Sequence, residues 1–155
     1  YFGYNGHLNA KTADEVWNIC NAKLQDDSMS ARNIIKQSNV RFIGTTDDPI
    51  DSLEWHRKIR EDENFDVVVA PSWRPDKARN IEKPDFAEYI GKLATAAGMD
   101  KIATFADLKD ALTNRMEYFK ENGCCISDHG LEYVMYVPAS DEEVEAIFVK
   151  RKVGV

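Results

Sequence analysis

Two runs decide the fold, Val40-Arg-Phe-Ile-Gly-Thr45 and Asp66-Val-Val-Val-Ala-Pro71. Each is short and strand-prone, and each is followed by a polar cluster and then by helical periodicity. The second is an unbroken apolar run, which predicts a strand buried on both faces, as in a parallel sheet. A third run, Cys124-Cys-Ile-Ser127, has the same setting. Helical signals fill the intervals, so the runs are joined by crossovers and hairpins are not expected.

Working outward, Asp48-Pro49 reads as a helix cap followed by proline at the first helical position, where its missing N–H matters least. Leu53, His56 or Arg57, and Ile59 continue that helix to about Asp62. Pro84 to Leu93 starts another, ended by Gly98. Thr104-Phe-Ala-Asp107 opens a long helix through Leu108, Ala111, Leu112, Met116 and Phe119, stopped at Asn122-Gly123. Met116, Tyr118 and Phe119 at helical spacing read as core and helix surface. Ser140-Asp-Glu-Glu143 opens a last helix to about Lys150. Upstream, Thr12-Ala-Asp-Glu15 has the pattern of a capping box for a helix carrying Val16, Ile19, Cys20 and Leu24 to about Gln25. Ser30 is expected to cap a shorter one with Ile34 and Ile35. The boundary falls near Ser38-Asn39, giving a helical segment over 1–38 and three strand–helix units over 39–155. The fold class is α/β with a mainly parallel sheet.

The chain has 155 residues, 43% of them hydrophobic, which suits one folded domain. Its net charge of −7 argues against nucleic acid or an anionic membrane as the main partner. Apolar runs such as Val67-Val68-Val69-Ala70 are too short to span a bilayer. The chain opens on Tyr1 without a basic-then-apolar leader, so a piece of something longer with no signal peptide is expected. Cys20, Cys124 and Cys125 have no zinc-ligand spacing and read as buried or half-buried thiols of a reducing, cytoplasmic protein.

Chemistry gathers where the strands end. The clusters are Thr45-Thr46-Asp47-Asp48-Pro49, Ser72-Trp73-Arg74-Pro75-Asp76 and Ser127-Asp128-His129-Gly130. In parallel α/β folds ligands bind at the carboxyl ends of strands. Asp48 is a helix cap first, which leaves Asp47 as the better functional candidate. Arg74 stands between Trp73 and Pro75, where the chain is stiff. It can pair with Asp76 or Asp47, or grip a ligand carboxylate through two parallel hydrogen bonds. His129 is open between proton carrier, metal ligand and packing residue. His56 in mid-helix and His7 near the start read as structural. There is no His-x-His, His-Glu-x-x-His, Cys-x-x-Cys, phosphate loop or nucleophile elbow.

The strings Gly44-Thr-Thr-Asp-Asp-Pro-Ile-Asp-Ser-Leu-Glu-Trp-His56, Ala70-Pro-Ser-Trp-Arg-Pro-Asp-Lys77 and Ser127-Asp-His-Gly130 resemble the uronate (glucuronate) isomerase family. Phe2-Gly3 through Thr12-Ala-Asp-Glu-Val-Trp-Asn18 and Ser30-Ala-Arg-Asn-Ile-Ile35 are similar to it as well. The resemblance implies a (β/α)₈ barrel of the amidohydrolase type that interconverts D-glucuronate with D-fructuronate, and D-galacturonate with D-tagaturonate. This chain would then be a partial barrel, with strands two to four, and 1–38 an insertion after strand one. The resemblance implies a divalent metal, expected to be zinc, held by a His-x-His and an Asp from segments not in this chain, so no metal ligand is assigned here. It implies Arg74 as partner of the hexuronate carboxylate, with Thr46, Asp47 and Trp73 also substrate-binding and Asp128 and His129 catalytic. It also implies a basic residue where Cys125 stands. The segment alone is expected to be inactive and to self-associate through open sheet edges. The alternatives are a non-catalytic binding domain and a self-contained Mg²⁺-dependent hydrolase using Asp47, Asp48 and Asp128.

Overall fold

Phe42–Gly44 (β1) and Val68–Ala70 (β2) pair in parallel, Phe42 opposite Val68 and Gly44 opposite Ala70. The computed structural model describes residues 1–134 and 136–152. Strand-like bonding continues past both labels: the Ser72 N–H donates to Thr45 O (3.1 Å), the Asp47 N–H to Ser72 O (3.1 Å) and the Arg74 N–H to Asp47 O (3.0 Å). The third run joins through one parallel bridge, Trp73 with Ser127. Its bonds are Trp73 N–H to Ile126 O (3.0 Å) and Asp128 N–H to Trp73 O (2.9 Å). All three segments therefore run parallel with β2 in the middle, and the three polar clusters lie side by side. The third is a bridge rather than a full strand because only Trp73 pairs with it.

Helices α1 (Ala13–Lys23) and α2 (Ala31–Gln37) precede β1. α3 (Glu54–Arg60) follows β1, and α4 (Asp76–Arg79), α5 (Phe86–Ala96) and α6 (Phe105–Glu121) follow β2. α7 (Asp141–Lys152) follows the third run. The main core lies between α5, α6 and α7, where Phe86, Ile90, Leu93, Leu108, Ala111 and Phe148 are buried. The Phe86 and Phe148 rings meet edge-to-face, their centroids 6.2 Å apart. A smaller cluster of Leu53, Trp73 and Phe119 sits beneath the strand ends, with Trp73 edge-on to Phe119 at 5.1 Å. Aromatic pairs of this kind add about 0.5–1.5 kcal/mol beyond the area they bury.

Two helix starts form as the sequence reads. At α6 the Thr104 hydroxyl accepts the Asp107 N–H while the Asp107 carboxylate accepts the Thr104 N–H. At α7 the Ser140 hydroxyl and the Glu143 carboxylate make the same exchange. Gly98 and Gly123 end α5 and α6 with φ of +70° and +93°.

Elsewhere the helix starts that the sequence suggests do not form as read. The Thr12 hydroxyl donates to His7 O (2.8 Å) and accepts the Asn9 N–H, so no side-chain cap forms at α1. Ser30 precedes α2 without a side-chain cap bond. Asp48-Pro49 does not open a helix: α3 begins at Glu54. Asp48 instead accepts the Ile50 N–H, and its own carbonyl accepts the Asp51 N–H. The Arg115 guanidinium takes the carbonyls of Pro49 and Asp51, which a helix would need for itself. Leu53, buried, then enters α3 at φ +53°, a left-handed conformation that costs about 1–3 kcal/mol in a side chain of this kind. Val68 is 56% exposed, against the expectation of a strand buried on both faces, because one sheet face has no covering layer among the described residues. Cys20 and Cys124 are half-buried, whereas Cys125 is exposed.

Candidate functional site

Thr46, Asp47, Asp48, Asp51, Arg74, Asp76 and Lys77 line an open cavity of about 440 Å³ at the carboxyl ends of β1 and β2. Parallel pairing of the two strands brings the first two clusters together there, and the Trp73 bridge sets the third beside the second. Arg74 is the centre of the second cluster. Its Nε donates to Asp76 Oδ2 (2.9 Å), and its Nη1 lies 3.6 Å from Asp128 Oδ2. Both carboxylates raise the pKa of the guanidinium, the Asp76 hydrogen bond first.

Asp76 binds more partners than any other group here. It accepts from Arg74, from Arg79 and from the Gly130 N–H at 2.8 Å, and His129 Nδ1 lies 3.7 Å from it. Burial opposes its ionisation, but the hydrogen bonds from Gly130, Arg74 and Arg79 outweigh it and hold the carboxyl at about 2. Gly130 must be glycine for this fit: an added Cβ would lie 2.7 Å from Arg74 Nη2 and 3.1 Å from Asp76 Oδ2.

Asp47 is buried on the neighbouring strand end. Its Oδ2 accepts the Thr45 hydroxyl (2.6 Å) and the Ser72 N–H (3.2 Å), and Thr45 Oγ1 is also 2.7 Å from His56 Nε2. His56 therefore lies in the first turn of α3, buried against the site, rather than in mid-helix. Asp48, beside it, is tied to Lys77 (3.3 Å) and to the Tyr89 hydroxyl (2.9 Å). Burial, then the Asp48 charge, pushes the Tyr89 pKa well above its ordinary value, so this phenol stays a donor.

Thr46, Asp47 and Arg74 thus share one cavity, whereas the exposed Asp128 and His129 do not line it and reach only its wall residues, Asp128 at Arg74 and His129 at Asp76. Trp73 does not line it. Its buried ring packs on Phe119 and faces a second hollow of about 550 Å³ with Met116, Cys124, Cys125 and His129. Asp47, Asp48 and Asp128 do not gather as oxygen ligands, and among the described residues no three His, Cys, Asp or Glu side chains share a possible metal position. Sequence reasoning missed Thr45 and His56, and noticed Asp76 only as a partner for Arg74. Thr45 was within reach, because residues two apart on an extended strand share a face.

Parallel strands whose carboxyl ends present converging carboxylates, a clamped guanidinium and hydroxyls form the kind of site at which β/α proteins bind small ligands. The family model for glucuronate isomerase matches residues 1–155, and the chain belongs to that family. It is 62% identical over 154 residues to a uronate isomerase of Lachnospira eligens, covering 99% of this chain and 33% of the relative. The uronate isomerase of Endomicrobium trichonymphae is 57% identical over 155 residues. Among solved structures, the uronate isomerase of Thermotoga maritima superposes with a TM-score of 0.88 at 32% identity, and the glucuronate isomerase of Caulobacter crescentus with 0.86 at 28%. The former covers 99% of this chain and 33% of its own. The chain spans about a third of the length of the curated relatives it matches.

Proposed function

We propose that these residues form part of a uronate isomerase that interconverts D-glucuronate with D-fructuronate, and D-galacturonate with D-tagaturonate. The longer protein would close a (β/α)₈ barrel of the amidohydrolase type around strands two to four, in the cytoplasm. The observation that carries this reading is Arg74, held by Asp76 at the wall of a cavity rich in acceptor oxygens.

Four carboxylates against two cations in that cavity suit the hydroxyls of a sugar, which donate hydrogen bonds. They repel a further carboxylate, so the uronate carboxylate would engage Arg74 at the guanidinium nitrogens that Asp76 does not bind, in place of the 3.6 Å contact from Asp128. Anchoring that far end places C1 and C2 for reaction. Isomerisation moves a proton from C2 to C1 through an enediolate, which needs a base, an acid and stabilisation of the developing oxyanion. Asp128 and His129, which approach Arg74 and Asp76, are the proton carriers in this reading, and Thr46 and Asp47 bind sugar hydroxyls. The divalent cation that the family resemblance implies would be held by segments outside this chain, since among the described residues no three His, Cys, Asp or Glu side chains share a possible metal position.

In the full-length enzyme, Arg74→Ala is expected to lower kcat/KM for glucuronate about 30-fold or more, from the roughly 2–5 kcal/mol lost when one partner of a charge pair is removed. Arg74→Lys should recover little, since an ammonium cannot bind Asp76 and a carboxylate through one plane. An unchanged kcat/KM rejects the assignment.

A further inference from the structure

We propose that Thr45 and His56 are positioning residues that fix the Asp47 carboxylate so that its Oδ1 receives a hydroxyl of the substrate. The inference rests on the hexuronate reading of the cavity and adds a specificity element to it.

The hydrogen count carries the argument. Thr45 Oγ1 has a single proton and three polar neighbours, Asp47 Oδ2 at 2.6 Å, His56 Nε2 at 2.7 Å and, at the longer distance of 3.3 Å, the acceptor-only Ala70 carbonyl. A carboxylate can only accept, so the hydroxyl proton goes to Asp47 and His56 Nε2 must donate to Thr45. His56 then carries a ring proton on Nε2. Its Nδ1 agrees with this, because it is buried and has no hydrogen-bond partner. A bare ring nitrogen tolerates that position better than an N–H does.

The consequence falls on Asp47. Oδ2 is saturated by the Thr45 hydroxyl and the Ser72 N–H. Oδ1 has His56 Nε2 at 3.7 Å, beyond hydrogen-bond reach, and keeps its acceptor capacity on the cavity wall. The carboxylate cannot rotate without breaking both bonds to Oδ2. Arg74 takes the acid end of a hexuronate, and Asp47, on the neighbouring strand end of the same cavity, takes a hydroxyl donor.

The test uses the full-length enzyme with glucuronate as probe. Thr45→Val is expected to raise KM about tenfold with kcat changed less than threefold, and Thr45→Ser to restore KM. In an Asp47→Asn background, Thr45→Val should add nothing further, because it acts only through Asp47. A wild-type KM for Thr45→Val, equal losses for Ser and Val, or full additivity with Asp47→Asn each overturn the proposal. Imidazole nitrogen NMR of His56 in the same protein reads the network without turnover. A protonated Nε2 and a bare Nδ1, with the Nε2 signal perturbed by Thr45→Val, support the proposal, and a protonated Nδ1 overturns it. Absence of any hexuronate turnover, with the NMR pattern intact, would instead reject the hexuronate reading and with it the substrate role of Asp47.

Discussion

At the residue scale the site is a set of clamps on charged side chains. Asp76 shows how few atoms this takes: one carboxylate holds the Arg74 guanidinium, the Gly130 backbone and Arg79 at once. The absent side chain of Gly130 is part of that clamp. Gly130→Ala places a methyl 2.7 Å from Arg74 Nη2, which is the far end of a flexible chain and will swing rather than unfold the loop. We expect kcat/KM for glucuronate in the full-length enzyme to fall about 10- to 100-fold, as misplacement of an anchor by about 1 Å does. The melting temperature should hardly change. Normal kinetics would show that Arg74 is not held where the substrate needs it. Asp47, Arg74, Asp128 and His129 were legible as candidates because they stand next to strand-prone runs. His56 was not, since nothing local in a helical stretch shows that its ring reaches back to Thr45.

At the scale of elements, the helix starts separate local from tertiary information. Thr104–Asp107 and Ser140–Glu143 form their reciprocal bonds because all the partners lie within four residues. Thr12-Ala-Asp-Glu15 has the same hydroxyl-to-carboxylate spacing, but a nearby loop claims its hydroxyl through the His7 carbonyl. Asp48-Pro49 fails for a longer-range reason, the buried Arg115 of α6. That guanidinium donates to the carbonyls of Pro49 (2.7 Å), Ala96 (3.0 Å) and Asp51 (2.8 Å) and stacks 4.2 Å over Tyr118. Burial pulls its pKa below the ordinary arginine value. Arg115→Met should therefore destabilise the fold by about 2–4 kcal/mol, through three charge-assisted bonds lost and a buried Pro49 carbonyl left unpaired. Arg115→Lys should recover less than half, because one ammonium cannot span three carbonyls. Thermal melts of the two variants check this, and an Arg115→Met variant as stable as the parent contradicts it.

At the scale of the whole molecule, the segment leaves apolar sheet surface open. Phe42 (49% exposed) lies directly opposite Val68 (56%), and Ile126 (48%) approaches the same face beside Gly44. In the closed barrel that we propose, this face would be interior. The isolated 155-residue segment is expected to associate in solution and to show no glucuronate turnover, because an open parallel edge and an uncovered apolar face both recruit partners. Light scattering giving a monomer mass, together with measurable turnover, would contradict both parts.

Sequence alone determined the parallel strand–helix order, the helices whose caps are local, the polar strand ends and the family, since these depend on neighbours along the chain or on matched strings. Tertiary structure decided that Asp76 rather than Asp47 clamps Arg74, that Trp73 packs beneath the cavity, that α3 starts late and that His56 joins Asp47 through Thr45. Each of those outcomes depends on which distant donor reaches an acceptor first, and that competition is settled only when the strands are laid side by side.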